Sequence, residues 1–149
     1  MKPKVFHIIL FLVFYLFVSL CYSEVHKVER VIDGDTLLLT NGERVRLIGV
    51  DTPETKHPQK PVQKFGKEAY LFTKKMVEGN DVRLEYDWQK KDKYGRILAY
   101  IYLKDGTFLN AEIIKQGYGF AYTRFPFKYL EEFRKYERDA RENKRGLWK

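Results

Sequence analysis

The chain has 149 residues, a length for one domain, and carries 28 Lys and Arg against 20 Asp and Glu, a formal net charge of +8. Such an excess favours a polyanionic partner without naming one. Its one cysteine, Cys21, excludes a disulfide framework and a cysteine-built zinc site.

In chain order, the first segment reads apart from the rest. Lys2 and Lys4 precede an apolar and aromatic run from Val5 to Leu20, broken only by His7 and Ser19, and Cys21-Tyr22-Ser23 follows with residues small enough for cleavage before Glu24. The pattern is that of a secretory signal peptide over residues 1–23, leaving a domain at 24–149; an uncleaved membrane anchor is the alternative. Removing the leader leaves 26 basic against 20 acidic residues and no cysteine.

The remainder predicts a β-rich domain with helical additions. Strands are expected at Val25 to Ile32, Leu37 to Thr40, Arg44 to Val50, Val82 to Tyr86 and Ile97 to Leu103, each alternating or β-branched. A helix over Val62 to Glu78 would place Phe65, Ala69, Phe72 and Met76 on one face, with Gly79 as its stop. Two more are expected from about Asn110 to Gln116 and from Lys128 to Asn143. No internal repeat or low-complexity linker interrupts them.

Three stretches carry chemistry: Asp33-Gly34-Asp35-Thr36, Asp51-Thr52-Pro53-Glu54, and Asp92-Lys93-Tyr94-Gly95-Arg96. Taken singly, each reads as a turn or a strand exit. Taken together, they hold the parts for attack on a phosphodiester. Asp35, Asp51 and the Thr52 carbonyl supply the oxygen donors that a hard cation such as Ca²⁺ prefers, with water completing the shell. Glu54 is a spare carboxylate that can take a proton from water, and Arg46 and Arg96 offer guanidinium forks for phosphate oxygens.

Asn41-Gly42 between apolar runs predicts a two-residue hairpin turn pairing Thr40 with Glu43, Leu37 with Arg46 and Asp35 with Ile48. That register places Arg46 diagonal to Asp35 on one face. Asp51 has the opposite parity and joins them only if the strand breaks, for which Gly49 is the candidate.

On these motifs, with Phe72-Thr73-Lys74-Lys75-Met76-Val77-Glu78 in the same order, the chain resembles the staphylococcal (micrococcal) thermonuclease family from about Val28 to Trp148. The resemblance implies an α+β fold, a five-stranded OB-fold β-barrel with three α-helices. It implies Ca²⁺-dependent hydrolysis of DNA and RNA at the 5′ P–O bond, leaving 3′-phosphate ends; with the leader, a secreted or periplasmic monomer is expected, and single strands are the expected preference because a tyrosine-lined pocket takes only an unstacked base. By similarity, Asp35, Asp51 and Thr52 would hold the metal, Glu54 would be the general base, and Arg46 and Arg96 the phosphate clamp. Lys60, Lys93, Tyr94 and Tyr122 would line the nucleotide site. The chain departs from the family pattern in carrying Arg124 where a second tyrosine is expected. A non-catalytic nucleic-acid-binding OB module is the alternative; copies of this fold that have lost activity usually lack some of these five charged side chains, and here all are present.

Overall fold

The computed structural model describes residues 24–55 and 64–149. The expected leader at 1–23, and Lys60, His57 and Pro58, lie outside the described residues. Among the described residues, no helix is long and apolar enough to cross a membrane.

Five strands close a barrel: β1 (Val25–Asp33), β2 (Thr36–Leu39), β3 (Arg44–Leu47), β5 (Asp81–Glu85) and β6 (Ile97–Leu103), in the spatial order β1-β2-β3-β6-β5. A separate two-stranded ribbon pairs β4 (Val50–Asp51) with β7 (Phe120–Ala121). Three helices complete the domain: α1 (Gly66–Val77), α2 (Leu109–Lys115) and α3 (Leu130–Glu142), followed by a 3₁₀ turn at Gly146–Trp148. This is the five-stranded barrel with three helices that the sequence predicts; β7 and the 3₁₀ turn are additions to it.

Closure depends on two features. β1 is one long strand whose first residues pair with β5 while the rest pair with β2, and its register against β2 shifts between Val28 and Arg30 and again between Val31 and Asp33. Such irregularities bend a strand and let it serve two sides of a barrel. The second feature is the seam between β3 and β6, the parallel pair of the barrel, where Val45 meets Ile97, Arg46 meets Leu98 and Leu47 meets Ala99. The core comprises Val31, Leu37, Leu39, Val45, Leu47, Val82, Ala99 and Ile101 from the strands with Ile113, Ile114 and Phe133 from the helices, all essentially buried.

The hairpin register differs from expectation by one residue. Leu38 faces Arg44 and Thr36 faces Arg46, and the loop is the three-residue Thr40-Asn41-Gly42, closed by Gly42 N–H to Leu39 O (2.9 Å) and Leu39 N–H to Glu43 O (2.9 Å). A two-residue type I′ turn needs positive φ at both central residues. Here Gly42 has φ +85° but Asn41 stays on the negative side. Its amide oxygen instead accepts the Glu43 N–H at 3.0 Å, a local turn that competes with the expected one.

Helix α1 is also rotated from its expected face. Ala69, Thr73 and Val77 are its buried residues together with Gly66, while Phe72 and Met76 pack at the margin. Apolar spacing misleads because Thr73 is polar yet fully buried, its hydroxyl donating to the Gly34 carbonyl at 2.7 Å. Phe72 stacks on Tyr118 (ring centroids 4.3 Å), and Phe65, just before the helix with φ 74°, lies 5.7 Å from the same ring.

Candidate active site

The acidic corner begins where β1 turns into β2. Asp33 accepts the Gly34 N–H at 2.9 Å and the Thr55 hydroxyl at 3.0 Å, which ties the turn to the segment after β4. Asp35 accepts the Thr36 hydroxyl (3.0 Å) and, with its other oxygen, the Thr52 N–H (2.9 Å). Gly34 makes this approach possible. A Cβ there would sit 2.7 Å from Thr52 Oγ1 and 2.9 Å from its Cβ, so any larger residue would push the two stretches apart.

Strand β3 ends at Leu47 and the chain turns through Ile48 and Gly49 (φ +73°) before β4, the break that the parity of Asp51 requires. The broken ladder leaves backbone groups to be satisfied. Asn110 of α2, fully buried, does much of this: its side-chain amide donates to Ile48 O (2.9 Å) and Ala99 O (3.3 Å), and its oxygen accepts the Ile101 N–H (2.9 Å). Beyond the break, Asp51 pairs with Phe120 and its backbone oxygen lies 3.0 Å from the position a Cβ on Gly119 would take. A Cβ on Gly66, at the start of α1, would likewise meet the carbonyls of Glu54 (2.9 Å) and Pro53 (3.0 Å). Glycines at 34, 66 and 119 thus let three elements close on the loop from Asp51 to Thr55.

Arg46 gathers the corner. One terminal nitrogen lies 3.2 Å from Asp35 Oδ2 and 3.3 Å from Asp51 Oδ1, while the other donates to Leu47 O (3.0 Å) and Val50 O (2.6 Å). The corrected register pairs Arg46 with Thr36 rather than setting it diagonal to Asp35 on one face. The ion pair forms all the same, because Asp35 lies in the turn before β2, where strand alternation does not apply. The Asp35 side chain is 10% exposed and that of Asp51 is 53% exposed, so one carboxylate forms the floor and the other the rim.

These charges crowd one another. Partial loss of water, and next the neighbouring Asp35, raise the Asp51 pKa against the opposing pull of Arg46 and Arg124. Glu54 is raised in the same way, by lost water and then by a side-chain hydrogen bond and charge from Asp33, with Asp35 and Asp51 adding to it. Hard oxygen donors meeting under mutual repulsion fit a hard cation such as Ca²⁺, and Asp35, Asp51 and the Thr52 carbonyl could hold one. Among the described residues no three acidic, histidine or cysteine side chains converge on a metal position; a cation held by these donors would take the rest of its shell from water and ligand oxygens.

Of the remaining expected site residues that the structure describes, Lys93, Tyr94 and Arg96 lie in the stretch before β6, and Tyr122 follows β7. Arg96 sits two residues before the strand partner of Arg46, about 7 Å along the strand direction. Its Nε donates to Asp92 Oδ2 at 2.7 Å, and among the described residues its ion pair is with Asp92 rather than with the acidic corner. Tyr94 is 64% exposed, with Lys93 Nζ 5.0 Å and Arg96 Cζ 5.5 Å from its ring centroid. Tyr122 follows β7, and its N–H donates to Gly49 O at 2.9 Å, which brings its segment beside the β3 break. Arg124, 6.0 Å from the Tyr122 ring, is a second arginine, after Arg46, whose charge reaches Asp51. Sequence reasoning missed Asn110 and the packing glycines, whose roles depend on partners far along the chain. It also missed Asp87, which accepts from Trp88 N–H (2.8 Å), Lys128 N–H (2.9 Å) and the Tyr100 hydroxyl.

Comparison with known proteins gives a consistent picture. A family model described as staphylococcal nuclease homologue matches residues 44–149. A thermonuclease of Staphylococcus hyicus is 44% identical over 130 residues, spanning 85% of this chain and 76% of that protein. A thermonuclease of Staphylococcus intermedius is 46% identical over 130 residues, spanning 85% and 77%. Endonuclease YncB of Bacillus subtilis is 40% identical over 126 residues, covering 80% of this chain and 59% of the relative.

Proposed function

The chain belongs to the staphylococcal nuclease family and is a nuclease, and on that premise we propose that it is an exported, Ca²⁺-dependent endonuclease that cleaves DNA and RNA at the 5′ P–O bond. The observation that carries the reading is the single network in which Arg46 joins Asp35 and Asp51, with Glu54 three residues further along the same loop. A structural ion pair needs only one carboxylate. Two on one arginine, one of them half open to solvent, suit a site that awaits a cation and an anion together.

In this reading Asp35, Asp51 and the Thr52 carbonyl hold the Ca²⁺, which when bound supplies positive charge to a phosphate oxygen. Glu54 takes a proton from the water whose oxygen attacks phosphorus; its raised pKa makes it a better proton acceptor than an ordinary glutamate. The bond from phosphorus to the 5′ oxygen breaks, the phosphate stays on the 3′ side, and the 5′ oxygen leaves to be protonated by solvent. Arg46 and Arg96 meet the charge that builds on the phosphate, Arg96 turning its guanidinium from the Asp92 contact. Lys60 and Lys93 add charge for the backbone. Tyr94 and Tyr122 can receive a base only when it is unstacked, so single strands are the preferred substrate. Residues 1–23 act as a cleaved leader, residues 24–149 form the nuclease domain, and the enzyme works as a monomer.

The test is a cleavage assay of the purified protein on single-stranded DNA, duplex DNA and RNA with Ca²⁺, Mg²⁺ or chelator, with end-group analysis of the products and N-terminal sequencing of the native protein. Expected are Ca²⁺-dependent cutting, 3′-phosphate ends, faster loss of single strands and a start near Glu24. Full activity in chelator would overturn the metal assignment, and binding without cutting would return the chain to the non-catalytic reading.

A further inference from the structure

Large aromatic side chains are usually covered, so those left in water deserve a reason. Trp88 is 68% exposed and Phe125 is 62% exposed. Neither is on a loose loop. The Trp88 indole N–H donates to the Pro126 carbonyl at 3.1 Å, which joins the loop after β5 to the segment after β7. Asp87 fastens the same two stretches from beneath, accepting the backbone N–H of Trp88 at 2.8 Å and of Lys128 at 2.9 Å. Phe127 anchors the segment from inside, its ring packing over Gly49 and lying 5.3 Å from the Phe133 ring. The Trp88 ring is therefore tied to the stretch next to Phe125, and the backbone of both stretches is fastened through Asp87.

The rings also lead somewhere. Phe125 lies 6.1 Å from Tyr122, and the Tyr122 N–H is bonded to Gly49 beside the acidic corner. Arg124 sits between the two rings in sequence, with its guanidinium over Tyr122, and Lys90 follows Trp88 with its ammonium 5.8 Å from the Tyr86 ring. We propose that Tyr122, Phe125 and Trp88 form a stacking ridge that holds the unpaired bases of a single-stranded nucleic acid beyond the bond being cut, while Arg124 and Lys90 face its phosphates.

Alternating π-faces and cations match a flexible polyanion whose bases can splay outwards. A duplex keeps its bases inside and cannot offer them to the ridge. Continuity with the corner argues for substrate as the occupant rather than a protein partner. The inference rests on the corner being the cleavage site. It extends the site to bases remote from the reacting phosphate, and such contacts raise affinity for longer strands.

Two measurements test it. With Trp148→Phe, Trp88 becomes the lone tryptophan, and titration with a long oligothymidylate in chelator should quench its fluorescence saturably. The Trp88→Leu, Phe125→Leu double variant keeps apolar bulk but loses stacking, and should bind that strand about tenfold or more weakly for the loss of two rings. Trp88→Phe, which keeps a ring and loses only the indole bond, should restore most of the affinity when Phe125 is intact. The preference in kcat/KM for long strands over a dinucleotide should fall in step. Unquenched fluorescence on saturation, or a double variant that binds and prefers long strands as the unmodified protein does, would overturn the ridge. Quenching by a protein that cuts nothing would support the ridge while overturning the cleavage reading of the corner.

Discussion

Asp51 and Glu54 lie among like charges and titrate above the ordinary carboxylate value, whereas Asp87 and Asp92 lie among donors and titrate below it. Burial raises all four. At Asp87 the Tyr100 hydroxyl and two backbone N–H groups outweigh it, and at Asp92 the Arg96 side chain and the N–H groups of Arg96 and Tyr94 do so. At the corner the neighbours are mostly other acids, and Arg46 must serve two of them. The same residue type thus stabilises one part of the fold and burdens another. The burden falls where a cation and a phosphate would relieve it.

The comparison is broken most directly at Glu54. Glu54→Gln should lower turnover by about two to four orders of magnitude, the usual scale for a lost general base. It should also raise the melting temperature at neutral pH, because one member of a repelling group is neutralised. Calorimetry beside single-turnover kinetics reads both, and a fall in melting temperature would show that Glu54 is a satisfied structural acid like Asp87.

A smaller effect is expected from geometry alone. Gly34→Ala drives a methyl into Thr52 and shifts the ligand loop, so activity should fall about a hundredfold from misplacement while stability drops about 1 to 3 kcal/mol. Adding Thr52→Ser removes the methyl carbon that stands 3.0 Å from the new Cβ and should recover part of the loss, measured as kcat/KM and urea midpoint. No recovery would place the strain elsewhere.

The subtlest expectation concerns acid. A raised pKa gives stability that is present below the unfolded value and lost as pH rises through the folded one. Protonating Glu54 and Asp51 on descent from neutral pH therefore relieves the corner. A lowered pKa works in reverse, so Asp87 and Asp92 stabilise above about 3.8 and release their hold as pH falls through their folded values. Stability should hold or rise slightly towards pH 5 and fall below about pH 4. Asp87→Asn should cost about 1 to 3 kcal/mol at neutral pH through weakened hydrogen bonds and flatten the acid fall. Urea denaturation at several pH values checks this, and an unchanged acid limb in the variant would remove Asp87 from the account.

Much of this was legible in the chain before any coordinates. Strand positions followed from alternation, and β6 coincides with its expected span. The convergence of Asp35, Asp51 and Arg46 followed from their chemistry and from the need for a break near Gly49. What escaped depended on competition between local and distant partners. The hairpin register turned on one Asn41 side-chain bond, and the buried face of α1 turned on Thr73 reaching Gly34. Asn110 read as an ordinary helix start, yet it repairs the ladder broken at Ile48. Trp88 and Phe125 carry no local signal that separates an exposed ring from a core one.

The parallel seam has a consequence in time. Arg46 lies on β3 and Arg96 just before β6, so the two residues become neighbours along the seam only through a contact between residues about fifty positions apart in sequence. Closing so long a loop is entropically costly and slow compared with forming a local hairpin. During synthesis, a chain that has emerged only as far as β5 already carries Asp35, Arg46, Asp51 and Glu54, yet has no strand to seal β3 and lacks Arg96. Arg96 therefore takes its place late, only when β6 closes against β3 and seals the barrel.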